Sequence, residues 1–376
     1  MKEINKGKIK TELKKIKKFK IKKGGLDEVA YVYFLAIIGF LIGFVLLVWI
    51  GLGYIAQNYG EKDNFVDNFI GEQIVEKDVE CKKRRVLDGV CIEENEESMV
   101  QVVGVMIDNH PDARPQSGIS KASIVYEASV EGGYTRYFAL FPAFSNVSKV
   151  GPVRSVRPYF LDWSAEYGSM LYMHVGGSPD ALDLIKSRNI FDLNEFFGDW
   201  YFWRTASRLA PHNTYTSAEL WNNYLEDKEV SIVDEYKGWK FTKVEECEEN
   251  CVENINIPFL YPSFIVDWKY LDGKYERYQA GIKDRDLEGG AFIADTIIVQ
   301  KAKNEVIDDK GRRKIYTISE GEAIVFQKGN MIKGTWQKES LTGRTRFFDE
   351  NGKEMGLNAG KIWVEVVPDT VEIVWK

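Results

Sequence analysis

Cysteine, histidine and proline are scarce in this chain, with 4, 3 and 10 copies among 376 residues. Four cysteines and three histidines leave little room for a Cys/His zinc cluster, and no metal or cofactor is expected. The chain has no GxxxxGK(S/T) phosphate loop and no GxGxxG dinucleotide fingerprint. HExxH, GxSxG and SxxK are missing too, and no cysteine lies near a histidine. Zinc-protease, esterase-elbow, penicillin-binding and cysteine-nucleophile chemistry are thereby set aside. The chain also lacks net positive charge outside one end. Residues 1–23 hold eleven lysines against Glu3 and Glu12, and beyond Gly60 the remaining 39 Lys+Arg face 53 Asp+Glu, a balance of -14. A body of that sign does not neutralise duplex phosphates, so no nucleic-acid partner is expected.

Charge is missing altogether from Val29 to Gly60. Residues 29–56, almost wholly apolar or glycine, span roughly 42 Å as a helix at about 1.5 Å per residue, more than the ~30 Å hydrocarbon core. The reading is a basic cytoplasmic tail over 1–28 and an uncleaved transmembrane signal anchor over 29–57, with the body outside the cytoplasm. The lipid bilayer is one partner on this reading. Gly39 and Gly43 form a GxxxG that could support a weak dimer, although lipid-facing glycine is the simpler explanation. All four cysteines lie beyond the span in two local pairs, Cys81 with Cys91 and Cys247 with Cys251, and two disulfides are expected.

Residues 58–99 are charge-rich and read as a stalk. The texture changes at Met99, where VQVVGVMI runs into Asp108-Asn109-His110-Pro111 like a buried strand entering a loop. Strands at 122–130, 135–144 and 169–175 alternate with helices opened by Pro158 and by Ser178-Pro179. Thr216 and Glu219 form a capping box for a third helix, so 100–227 is expected to be a mixed α/β domain. A connection with its Cys loop follows over 228–254. Short strands then fill 255–376, with hairpin turns at Asp272-Gly273 and Asn351-Gly352, and predict a mostly antiparallel β module. The fold class is α+β.

Chemistry is sought where residue usage departs from background. Residues 100–225 hold seven of the fifteen arginines, three of the 35 lysines and all three histidines. Arginine in place of lysine suits bidentate recognition of a carboxylate or phosphate. Arg154 and Arg157 precede the helix opened by Pro158, whose free N–H groups favour an anion, although pairing with Glu127, Glu131 or Asp162 is the structural alternative. Candidate ligand-binding residues are Asn109, His110, Arg114, Arg136, Arg154, Arg157, His174, Arg204, His212 and Asn213. Glu127 and Glu131 fall on one face of an extended strand, which would suit a hydrolase pair. The aromatic run FFGDWYFWRT at 196–205 is expected mainly in the core, with sugar stacking as the alternative.

The segments MIDNHPDARPQSGISKASIVYEASVEGGYTRYFALF, GPVRSVRPYFLDW, MHVGGSPDA and APHNTYTS, followed by GTWQK and KIWVEVVP, resemble the YerB-like family of bacteria. Its members carry a lipoprotein description and a domain named only as one of unknown function. The resemblance covers about 100–225 and 255–368 and implies an extracytoplasmic, membrane-attached protein without assigned catalytic residues. This chain departs from the lipoprotein pattern, because no cysteine follows the apolar segment until Cys81. The leading functional expectation is binding of an anionic envelope component, either a cell-wall polymer such as peptidoglycan or a small ligand such as a peptide carboxylate. A cell-wall hydrolase or transferase using Glu127 or Glu131 and a histidine, or a protein scaffold, are the alternatives.

Overall fold

The computed structural model describes residues 81–230 and 235–376 and the single positions Gly43 and Leu47. The expected tail, anchor and GxxxG pairing therefore fall outside the described residues, those two positions apart. Among the described residues no helix is long and apolar enough to cross a membrane.

The apolar run ahead of Asp108 is strand β1, Val102–Asp108. It is followed by β2, Ile124–Ser129, and β3, Thr135–Pro142. Pro158, with its preset φ and no N–H to leave unbonded, opens α1, Pro158–Ser164. Gly168, at φ +65°, supplies the left-handed turn that returns the chain into β4, Leu171–His174. Ser178 caps α2, Pro179–Ser187, its hydroxyl accepting the Ala181 N–H at 3.4 Å. β5, Asp192–Asn194, leads to a two-stranded ribbon of β6, Trp203–Arg204, and β7, Thr214–Tyr215. Helix α3, Ala218–Asp227, is capped by Ser217 and not by Thr216, because Thr216 is held in a backbone bridge to Val150.

The second half contains no α-helix among the described residues. β8, Asn254–Pro258, pairs with β9, Ile265–Leu271, and the turn at Asp272-Gly273 leads into β10, Lys274–Gln279. The short strands β11, Ile282–Lys283, β12, Arg285–Asp286, β13, Gly289–Ala291, and β14, Ile293–Ala294, follow. Then come β15, Thr296–Ala302, β16, Asn304–Val306, β17, Arg313–Ile315, β18, Glu320–Gln327, and β19, Asn330–Gln337. β20, Arg346–Asp349, β21, Ile362–Pro368, and β22, Val374–Trp375, complete the chain.

Strands of the expected mixed domain and β module are not confined to separate sheets. Residues 81–376 form one compact unit. Ten strands from both halves share one sheet, in the order β20-β19-β18-β15-β21-β2-β3-β1-β4-β5. β21 lies parallel between β2 and β15, with Ile362 opposite both Ile124 and Thr296. The physical reason is that β2, paired on one side with β3, presents a row of free N–H and C=O groups that only a strand from the second half satisfies. A six-stranded antiparallel sheet of β8 to β11, β14 and β22 stands apart from it. Along β1, Val103, Val105 and Ile107 enter a core shared with that second sheet and α3, while Val102 and Met106 enter one shared with α1 and α2. Burial on both faces explains why β1 reads as a continuous apolar run.

The stalk also ends earlier than expected. From Cys81 the chain is folded onto this unit: Leu87 and Asp88 are buried, and the Asp88 carboxylate accepts hydrogen bonds from Arg85 and from the Ser123 hydroxyl. A lone leucine among charges is here a packing anchor. In the connection, Tyr236 and Trp239 are likewise buried. Both expected disulfides, Cys81–Cys91 and Cys247–Cys251, are formed.

Candidate functional site

Asp108 closes β1, and the antiparallel register sets it opposite Arg136 at the start of β3. An extended segment then crosses the strand ends: Arg154 N–H donates to Met106 O at 2.8 Å, and Val175 N–H donates to Arg154 O at 3.1 Å. These bonds fix Arg154 and Arg157 at the carboxyl ends of the parallel strands β1 and β4, the end at which open α/β sheets hold ligands. The loop between β6 and β7 delivers His212.

One carboxylate gathers these groups. Asp108 Oδ2 accepts from Arg154 Nε at 3.1 Å and from His212 Nδ1 at 2.7 Å, and Oδ1 accepts from the His110 N–H at 3.0 Å. Burial works against the Asp108 charge, but Arg136, Arg154, the His110 N–H and His212 outweigh it and hold the carboxyl below its usual range. With Nδ1 committed to that carboxylate, His212 is left with Nε2 for a ligand.

Arg136 is only 7% exposed. Its Nη1 donates to Ser155 O at 2.7 Å, and its Nε is buried without a partner. Burial, and then the neighbouring Arg157, push this guanidinium down to about 10. Arg157 donates Nη2 to Glu131 Oε2 and Nη1 to Val156 O, each at 2.7 Å. Burial disfavours the Glu131 charge, yet Arg157 keeps that carboxyl low. The rings of His110 and His212 stack at 4.6 Å with 17° between planes, and Tyr134 lies 5.0 Å from His110. Beside Arg157 a cleft of about 500 Å³ opens, lined in part by Glu131, Ser178, Arg312 and Arg313.

His110, Asp112 and His212 offer ligand atoms within 4.8 Å of one another. A cation shared by two imidazoles must lie near the plane of each ring, and nearly parallel stacked planes do not converge on one point. His110 Nδ1 also accepts the Asp112 N–H at 3.2 Å. The cluster does not fit a shared metal ion as it stands.

Of the ten expected ligand residues, five meet here: His110, Arg136, Arg154, Arg157 and His212. The other five serve the frame. Asn109 donates to Glu127 at 3.1 Å, and Arg114 donates to Asn109 Oδ1 at 2.9 Å and Ser263 O at 2.8 Å with its guanidinium over the Phe264 ring. His174 is fully buried, 3.0 Å from Asp192 and 2.8 Å from Gly176 O. Arg204 is spent on Glu195 at 2.9 Å and on Asn213 at 3.0 Å.

Three further expectations are corrected. Arg157 turns back to Glu131 instead of leaving an anion site at the start of α1, which is one short helix of seven residues. Glu127 and Glu131 do not form a catalytic pair, because β2 ends at Ser129 and Glu131 sits in the following turn. Glu127 is instead buried against Arg277, whose guanidinium also binds Asp284 and lies over Tyr137 and Trp363. In the aromatic run Phe202 is buried, but Phe196, Phe197 and Trp200 are 65%, 85% and 72% exposed, since they ride the turn after β5. Sequence reasoning misses Asp108, the centre of the site. Its signal is an acid closing an otherwise apolar strand.

The fold and this site define a class: an α+β protein whose two sequence halves share one sheet, with an arginine and histidine cluster at the strand ends and no assigned chemistry. The chain belongs to the DUF3048 family, with residues 87–231 matching "Protein of unknown function (DUF3048) N-terminal domain" and residues 255–364 its C-terminal domain. It is 35% identical over 274 residues to "Putative lipoprotein YerB" of Bacillus subtilis (strain 168), spanning 71% of this chain and 81% of that protein. It is also similar to a crystal structure of the YerB protein from Bacillus subtilis, with a TM-score of 0.69 at 32% identity, covering 78% of this chain and 100% of that one.

Proposed function

We propose that this protein is a membrane-attached, extracytoplasmic receptor for an anionic component of the cell envelope, held at Arg136, Arg154 and His212. The observation that carries the reading is Arg136, a buried guanidinium with an unpartnered Nε whose charged neighbours are Arg154, Arg157, Asp108 and Glu131. Three guanidiniums face two carboxylates, and a buried excess of positive charge is stabilised by a bound anion. Attachment through residues 29–57 is supported by the uncharged span and the lysines before it. The lipoprotein name of the Bacillus subtilis relative agrees with an envelope location.

Retention of the chain on isolated envelope fragments is expected to fall markedly in Arg154→Gln that a thermal melt shows to be folded; equal retention would refute the reading. Protease added to intact spheroplasts should digest residues 61–376, and protection of that body would sink the topology. A second reading is favoured by the Asp108–His212 bond: a hydrolase or transferase in which His212 Nε2 moves a proton, its ring oriented by the carboxylate.

A further inference from the structure

We propose that the group recognised at the cluster around Asp108 is a terminal phosphate and not a carboxylate; the inference rests on the anion-binding reading above and narrows its ligand. Three side chains keep polar atoms unspent. Among the described residues Arg154 gives only its Nε to a partner, Asp108, which leaves both terminal nitrogens free. Arg136 uses Nη1 on Ser155 O and keeps an unpartnered, buried Nε. His212 binds Asp108 through Nδ1 and retains Nε2. Arg154 and His212 are held to the same oxygen of Asp108, and Arg136 is the register partner of that residue, so the three side chains gather around one carboxylate.

They reach it from three elements: β3, the extended segment before α1, and the loop between β6 and β7. A carboxylate has two oxygens whose acceptor positions all lie in one plane. A terminal phosphate offers three oxygens arranged as a tripod, which matches donors arriving from separate directions. Charge points the same way. Among the groups nearest the buried Arg136, three guanidiniums exceed Asp108 and Glu131 by one unit, and the exposed Asp112 carboxylate beside the histidines is screened by water.

The test is calorimetric titration of the full-length chain in detergent with inorganic phosphate, glycerol 3-phosphate, dihexanoyl phosphatidic acid and acetate. Both soluble phosphates are expected to bind at least about tenfold more tightly than acetate, the worth of an additional charge-assisted hydrogen bond. Arg154→Gln and His212→Asn, each able to donate one hydrogen bond to Asp108, should weaken phosphate about tenfold in protein shown by its melt to be folded. The asparagine can still donate to Asp108 while lacking Nε2, so this variant keeps the test valid if Arg154→Gln unfolds. Arg188→Gln, whose side chain pairs with Asp162 elsewhere, should bind like the parent. Tighter binding of phosphatidic acid than of glycerol 3-phosphate would identify a lipid headgroup as the source, and equal binding a soluble ester. Acetate binding as tightly as phosphate would overturn the phosphate assignment and leave the anion-binding reading standing. Binding of none of these probes, together with unchanged envelope retention in Arg154→Gln, would overturn both.

Discussion

Replacing Arg277 by methionine is the sharpest probe of how the two halves of the chain are joined. Arg277 lies on β10 in the second sheet, is fully buried, and forms ion pairs with Glu127 of β2 and with Asp284, with Glu365 of β21 3.9 Å away. Asn109 and Thr135 also donate to Glu127, and Trp268 Nε1 donates to Glu365 at 3.0 Å, so the node ties the mixed sheet to the second sheet. Methionine keeps much of the side-chain volume but leaves the carboxylates without their cation, and an uncompensated charge in such a place costs about 3–5 kcal/mol. At roughly 2 °C per kcal/mol for a unit of this size, the thermal midpoint should fall by about 6–10 °C. Adding Glu127→Gln to Arg277→Met removes one stranded charge, so the double variant should be more stable than the sum of the single losses predicts, by about 0.5–3 kcal/mol. The assay is thermal and urea unfolding of all four proteins of the cycle at pH 7. A loss below about 1 kcal/mol in Arg277→Met, or strict additivity in the double, would refute the claim that this ion cluster holds the halves together.

Glu365 is raised by burial and by the adjacent Glu127 charge, so the folded protein keeps a proton that the unfolded chain releases once pH passes the ordinary carboxyl range. Stability contributed by this group therefore falls as pH rises, and Glu365→Gln should match or exceed the parent at pH 8 while losing any advantage near pH 4; a less stable glutamine variant at pH 8 would contradict this. Asp286 accepts the Ile119 and Ser120 N–H groups at 3.0 Å each, and burial pushes its carboxyl up to about 6. Alanine there strands two buried donors and should cost about 2–6 kcal/mol by urea unfolding; a change under 1 kcal/mol would count against it. Asp108 is shifted the opposite way, so its contribution is present above the unfolded carboxyl value of 3.8 and lost as pH falls through its lower folded value. Asp108→Asn should remove that acid-dependent loss in melts between pH 2 and 5, and an unaltered acid limb would show that the group is not so held. Peptide mapping without reductant should recover Cys81 with Cys91 and Cys247 with Cys251, and crossed partners would contradict the fold.

Local signals in the sequence were strong where one residue type has one physical use. Pro158 and Ser178-Pro179 mark helix starts because proline lacks an N–H and serine supplies an acceptor, and Asp272-Gly273 marks a hairpin because both residues adopt positive φ, +49° and +77°. The apolar run of β1 announces burial on both faces, and cysteines five or eleven positions apart, counted inclusively, can pair only with one another if local closure wins. Arginine enrichment pointed to the right third of the chain. Nothing in one strand, however, states which distant strand will satisfy its edge, so the insertion of β21 beside β2 and the merging of two sequence halves into one sheet were decided by tertiary hydrogen bonding. The same holds for charge. Arg114, Arg154 and Arg277 look alike along the chain, and only the fold assigns the first to Asn109 and Ser263, the second to Asp108 with two terminal nitrogens left over, and the third to a closed core of carboxylates. An ion's role depends on what lies within a few ångströms of it and on whether water reaches it, and both are properties of three-dimensional packing.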